Sequence, residues 1–317
     1  MDNHQDILKD MAGNLARVII GKPTAIKYIL IALLCESHIL IEDVPGVGKT
    51  SLAAAMAKTV DCSFRRIHFT PDIMPSDITG FSMYNRKTDE FEYREGLVMS
   101  SFVLADEINR TSPKTQASLL EVMEENQVTV DGVTYKVPSP FMVIATQNPT
   151  EYLGTYPLPE AQIDRFIIKM RIGYPAHDSE VDILRRHRLE QPLAQIGPVT
   201  SGAAVVGFQR LVKEIFVEKT LYDYIVSLVA YTRDLPEVEL GASPRGSLML
   251  FRAAQALAFL SGRGYVLPDD ITEMAPAVLS HRVIVRQEAR IGGTTPEDIV
   301  AAALKNVPLP KVSKPAK

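Results

Sequence analysis

The stretch Ile39-Leu40-Ile41-Glu42-Asp43-Val44-Pro45-Gly46-Val47-Gly48-Lys49-Thr50-Ser51 decides how the chain is read. A short apolar strand passes through a Pro/Gly turn into Gly-Lys-Thr, which opens a helix predicted over Lys49–Thr59. That order suits a phosphate cradle. Gly46 and Gly48 let the backbone come close to an anion with several N–H groups turned inward. The helix aims the positive end of its dipole at the same point. Lys49 has the reach for terminal phosphates, and the Thr50 hydroxyl can ligate magnesium. Residues Asp43 to Ser51 are therefore predicted to bind a nucleoside triphosphate. The general P-loop pattern asks for glycine where Asp43 stands, and Pro45 with Gly46 supplies the turn instead. Gly-Lys-Thr alone is common by chance, so its weight comes from the acids and polar groups that end the later strands.

The first partner is Ser101-Phe102-Val103-Leu104-Ala105-Asp106-Glu107, an apolar strand ending in two acids. In an α/β sheet the carboxyl edge of the strands is where ligands bind. Charge placed there is costly unless it has work such as holding a metal. Asp106 is expected to hold magnesium through water, and Glu107 to act as the base that polarises the attacking water. Asn148, just past the apolar Phe141–Ala145, can orient water or touch the terminal phosphate, or simply start a turn before Pro149. Arg165 follows Ala161-Gln162-Ile163-Asp164 and can serve as a charge-stabilising finger, or pair with Asp164 or another neighbour. Arg245 opens a helix in Ala242-Ser243-Pro244-Arg245-Gly246, where a cation opposes the dipole; that mismatch favours its meeting an anion.

Outward from these motifs, Ile7, Leu8, Met11, Leu15 and Val18 recur at helical spacing, and Thr24 is expected to cap a second helix ending near Cys35. Phe64–Phe69 reads as a strand, Thr70–Gly80 as too rich in Pro and Asp for a regular element, and Phe81–Gly96 as a small hairpin or insertion. Pro113–Glu125 is an amphipathic helix, and Gln127–Val137 is a hairpin around Asp131-Gly132. Phe166–Ile172 is a last strand, followed by a connecting helix over His177–Leu189. Strands alternating with helices predict an α/β fold with a mainly parallel sheet, five-stranded and covered on both faces. The expected organisation is an α/β domain carrying the phosphate site over 1–190, a Pro/Gly/Ser-rich linker over 191–202, an all-α part over 203–307 and a mobile tail over 308–317.

Composition bounds the function classes. The 317 residues are 46% hydrophobic and 23% charged, an ordinary globular balance long enough for two domains. No apolar run is long enough to span a bilayer, and the acidic, polar opening Asp2–Asp6 is unlike a secretion signal. The two cysteines, Cys35 and Cys62, sit in apolar contexts, which fits free thiols in a reducing cytoplasm. The six histidines show no metal-ligand spacing. A net charge of −4 weighs against general nucleic-acid binding.

Taken in order, these motifs resemble the MoxR family of AAA+ ATPases over nearly the whole chain. Glu42–Thr50 resembles its Walker A, Phe102–Arg110 its Walker B and Ala145–Pro149 its sensor 1. Leu158–Phe166 resembles the arginine-finger region, and Ser243-Pro244-Arg245 the sensor 2. Asp72–Gly80 is similar to the stretch before the family's helix-2 insert, and Val128–Val137 to its pre-sensor-1 hairpin. The family is similar to this chain in having Asp at the position of Asp43. The resemblance implies ATP and magnesium between an ATPase domain and a lid. It implies a ring, usually a hexamer, in which Arg165 reaches a neighbour's γ-phosphate. It further implies chaperone-like remodelling or activation of partner proteins, often ones with a von Willebrand factor A domain, and assistance in metal-cofactor insertion. The alternatives are a DNA-acting, helicase-like motor, with Lys136 or Arg86 touching phosphate, and a nucleotide-gated binding module in which the bound state is the signal.

Overall fold

The computed structural model describes residues 2–149, 154–187 and 191–310. The chain opens with helices α1 (Asp2–Val18) and α2 (Pro23–Leu34). Pro23 takes the first turn of α2, and Lys22 precedes it without a side-chain cap, so Thr24 lies inside the helix instead of capping it. Then come β1 (Ile39–Glu42), α3 (Lys49–Thr59), β2 (Phe64–His68) and the short helix α4 (Pro75–Thr79). The helix α4 corrects the expectation of an irregular Thr70–Gly80. Pro75 presets the first turn, and the Asp77 carboxylate accepts the Met74 N–H at 2.8 Å.

A hairpin follows, β3 (Gly80–Asn85) with β4 (Glu90–Glu95), and then β5 (Phe102–Asp106) and α5 (Pro113–Glu125). A second hairpin joins β6 (Gln127–Val130) to β7 (Val133–Lys136). The two hairpins meet where Tyr93 stacks on Tyr135, ring centres 3.9 Å apart. The first part of the chain closes with β8 (Met142–Gln147), α6 (Glu160–Ile163), β9 (Ile168–Met170) and α7 (His177–His187). The expected end of this last helix, residues 188–189, lies outside the described residues.

The strands form one parallel five-stranded sheet in the order β2-β5-β8-β1-β9. Alternate residues supply two cores. Ile39, Ile41, Phe102, Leu104, Met142 and Ile144 pack under α1–α3, while Leu40, Val103, Ala105, Val143 and Ala145 meet Leu119, Leu120 and Met123 of α5. Burial on both faces is why β1, β5 and β8 are apolar along most of their length rather than alternating, whereas the edge strand β2 carries Arg65, Arg66 and His68.

The C-terminal part contains α8 (Gly202–Lys213), α9 (Lys219–Tyr231), β10 (Val238–Leu240), α10 (Pro244–Leu260), α11 (Pro268–Leu279), β11 (Ile284–Val285), α12 (Gln287–Ile291) and α13 (Pro296–Asn306). The antiparallel β10–β11 ribbon corrects the all-helical expectation; pairs this short carry no readable periodicity. Helix α10 is the hub. Its Ala253, Ala254, Ala256 and Ala258 are buried, and it packs against α2, α8, α9 and α11. The apolar cluster of these helices is continuous with the one beneath α1–α3. The segment expected to be a linker is strapped down. Val199 and Thr200 donate their N–H groups to Thr59 O, and the buried Asn14 side chain donates to Gly197 O at 2.8 Å. The tail expected to be mobile from Pro308 lies, beyond residue 310, outside the described residues. Among the described residues, no helix is long and apolar enough to cross a membrane.

Candidate nucleotide site

Because β5, β8 and β1 are neighbours, their carboxyl ends bring Asp106-Glu107, Gln147-Asn148 and Glu42-Asp43 to one edge. The turn after β1 is made by Gly46 (φ 87°) and Gly48 (φ 94°), both in the left-handed region that residues with a Cβ avoid. Gly48 precedes the first turn of α3, so the N-terminus of that helix points out of the turn. A cavity of about 340 Å³ lies there, walled by Pro45, Gly46, Gly48, Lys49, Thr50, Ser51, Arg66, His68, Asp106 and Glu107.

A second cavity, of about 210 Å³, shares Gly46, Gly48 and Ser51 with the first. Its other walls are Val18 at the end of α1, Ile19, Ile20 and Lys22 in the turn from α1 to α2, Val47, and Gly173, Pro175, Ile183 and Pro192. Its wall mixes apolar side chains with Lys22, Ser51 and glycine backbone, which suits a heterocycle that carries hydrogen-bonding groups. The sequence reading missed Ile19 and Ile20, since apolar spacing alone marks only helix or core. A wider apolar groove of about 480 Å³ between α1 and α2 holds none of the predicted site residues.

Asp43 does not face the cavity with its carboxylate. Its Oδ1 accepts the Val44 N–H at 2.9 Å, and its Oδ2 accepts those of Ile172 and Gly173 at 2.7 and 2.6 Å. The acid standing in place of a glycine thus pins the phosphate turn to the end of β9. Its backbone carbonyl accepts the buried Lys49 ammonium at 2.8 Å.

The acids of β5 are held by side chains that the sequence did not point out. Asp106 Oδ1 accepts the hydroxyl of the fully buried Thr146 at 2.7 Å, and its Oδ2 accepts Arg66 Nη2 at 2.5 Å and Nε at 3.1 Å. Burial by itself would raise the Asp106 carboxyl; the Thr146 hydroxyl, Arg66 and the Lys49 charge outweigh it and hold it below its ordinary value. Glu107 has left-handed backbone (φ 58°, ψ 48°), a local strain that turns its side chain off the strand. Its N–H donates to the Thr146 hydroxyl oxygen at 2.9 Å. Its Oε2 is buried without a hydrogen-bond partner among the described residues, with Arg110 Nε at 3.2 Å and His68 Nε2 at 3.9 Å. The Glu107 side chain lines the cavity while its Oε2 is turned inward onto Arg110. Asn148 is buried just past β8 and lines neither cavity.

Arg165 and Arg245 come together away from that cavity. Arg165 Nη2 lies 3.0 Å from Glu124 Oε2, and Arg245 Nη2 lies 2.5 Å from Glu124 Oε1. Arg165 therefore pairs with Glu124 and not with its neighbour Asp164. The Asp164 carboxylate instead accepts Arg282 Nε at 2.8 Å and the Ser243 hydroxyl at 3.0 Å. Arg282 is almost wholly buried, and burial draws its guanidinium down to about 10 against the pull of Asp164.

Comparison with known proteins gives the family. The family model described as the ATPase family associated with various cellular activities (AAA) matches residues 38–168, and the AAA lid domain model matches 230–303. The chain is 50% identical to the uncharacterized protein YeaC of Bacillus subtilis (strain 168), over 94% of this chain and 93% of that one. It is 42% identical to Chaperone MoxR1 of Mycobacterium tuberculosis, over 94% of this chain and 81% of that one. It superimposes with a TM-score of 0.91 and 39% identity on a crystal structure from Cytophaga hutchinsonii, a candidate ATPase, covering 98% of this chain and 96% of the other. With the phosphate turn, the paired acids and the lid all in place, the chain belongs to the MoxR family of AAA+ ATPases.

Proposed function

We propose that this chain hydrolyses ATP with magnesium and uses the cycle to remodel or activate partner proteins. The observation that carries the reading is the convergence of Lys49, Thr50, Asp106 and Glu107 on one cavity walled by Gly46 and Gly48. The residues fit the nucleotide. Backbone N–H groups at a left-handed turn and a helix N-terminus suit phosphates, and the slot beside them, part apolar and part polar, suits the base. Thr50 and Asp106 would hold the magnesium ion, which would neutralise phosphate charge. Lys49 binds the terminal phosphates, Glu107 on the same cavity wall takes the proton of the attacking water, and Asn148, just past β8, orients that water.

Arg165 and Arg245 act together on a nucleotide held by a neighbouring copy. Both sit on Glu124, and neither is among the residues lining the chain's own phosphate cavity. This supports a ring, for which a hexamer is the expected size. We divide the chain into an ATPase part, 1–190, and a lid, 203–307. The family's chaperone name supports a protein substrate, and a von Willebrand factor A domain is the partner class that the resemblance implies. Metal-cofactor insertion is one activation it would serve, and we place the protein in the cytoplasm. A helicase-like role is less favoured, since the net charge of −4 opposes binding to a polyanion.

The test is the ATPase rate per chain against protein concentration, for wild type and Arg165→Ala. The rate should rise with concentration and collapse in the variant while ATP still binds. A flat curve that the substitution leaves unchanged would end the shared-site reading.

A further inference from the structure

We infer that Glu124 is a resting counter-ion for Arg165 and Arg245. In the separated chain it holds the place that the terminal phosphate of a second copy's nucleotide takes in the assembly. This rests on the reading that both arginines serve a neighbour's nucleotide.

Local structure gives Glu124 no reason to be where it is. It sits in the last turn of α5, whose partly negative C-terminal end disfavours an acid, and no basic residue accompanies it in that turn. Arg245 has the mirror problem. It lies in the first turn of α10, whose partly positive end disfavours a cation, and no acid accompanies it there. The two misplaced charges meet each other, across 121 positions of sequence. Arg165 reaches the other oxygen of the same carboxylate. One anion between two guanidinium groups is the arrangement that a phosphate would also satisfy.

Exposure separates this cluster from the nearby structural pair. The Arg282 side chain is 1% exposed, so its bond to Asp164 cannot be exchanged without stranding a buried charge. The side chains of Glu124, Arg165 and Arg245 are 39%, 29% and 36% exposed. Their pairing can open to water and be replaced. A terminal phosphate carries more charge than a carboxylate and offers three acceptor oxygens, so it displaces Glu124 once a neighbour presents it. Until then the carboxylate keeps the two cations together and neutralised. Assembly must break both contacts, so Glu124 sets the protein concentration at which activity appears.

The experiment compares wild type with Glu124→Gln, which keeps the shape and removes the charge. ATPase rate per chain is followed against protein concentration at saturating magnesium and ATP, with particle mass measured by sedimentation velocity. Removing two partly exposed ion pairs should lower the half-activating concentration by roughly three- to ten-fold. The plateau rate should stay within about two-fold, since the carboxylate has left the arginines by then. Mass should grow at correspondingly lower concentration. Glu124→Asp should return towards wild type, and Glu124→Ala serves as the second variant should Gln disturb folding. A fall in plateau rate at unchanged half-activating concentration would overturn the inference, because Glu124 would then be holding the arginines in their working geometry. Unchanged curves would overturn it too. If Arg165→Ala also leaves the curve untouched, the shared-site reading itself has failed.

Discussion

Thr146 Oγ1 donates its proton to Asp106 Oδ1 at 2.7 Å and itself accepts the Glu107 N–H at 2.9 Å. One fully buried side chain on β8 thus sets both acids at the end of β5. Thr146→Val keeps the shape and strands both partners, at a cost of about 1–3 kcal/mol of stability. ATPase activity should fall about tenfold or more, since a misplaced acid loses its geometry. Thr146→Ser should retain both. Chemical unfolding beside steady-state ATPase assays checks this, and equal activity in the valine variant would remove Thr146 from the site.

Glu107→Gln should lower ATP turnover by about 10²–10⁴-fold. ATP binding should survive, because Lys49, the glycine turn and Asp106 are untouched. Fluorescent-nucleotide titration beside phosphate release separates the two effects. Full turnover in the variant would mean that Glu107 is not the proton acceptor.

Asp164→Asn should destabilise the protein by about 3–5 kcal/mol, because it leaves the Arg282 guanidinium buried beside a neutral partner. Replacing both, as Asp164→Leu with Arg282→Met, should recover only part of that loss, since Arg282 also donates to the Phe166 and Asp164 carbonyls and the Ser243 hydroxyl loses its acceptor. Unfolding free energies of the single and double variants form the check. A single variant as stable as wild type would show that Arg282 reaches water.

His38 should make stability pH-dependent. Its Nδ1 accepts the Val143 N–H at 3.0 Å, so Nε2 carries the proton and donates to Met123 O at 2.9 Å. Full burial pulls the imidazole from 6.5 to about 4, despite the Met123 bond that opposes the shift. The folded value is lower than the unfolded one, so the stabilisation is whole above pH 6.5 and is lost as pH falls towards 4, up to about 3 kcal/mol. His281, lowered by burial and by Arg282, adds in the same direction. Urea midpoints should therefore drop between neutral pH and about pH 5, and His38→Gln should flatten part of that slope. A wild-type midpoint that does not move would refute the assignment.

Elements whose causes are local are legible in the order of residues. An apolar run with a glycine turn announces β1 and α3, two acids after an apolar run announce the end of β5, and Asp131-Gly132 announces the second hairpin. That order could not show α4 or the β10–β11 ribbon, which are too short for periodicity and rest on a proline with an acid, or on a partner far along the chain. Tertiary structure alone decided where the charged side chains go. Asp43 turns to the end of β9, Arg66 and Thr146 meet Asp106 from 40 positions away on either side, and Arg165 and Arg245 share Glu124. The physical reason is strand order. A parallel sheet sets residues side by side according to which strands are neighbours, and no spacing along the sequence records that choice.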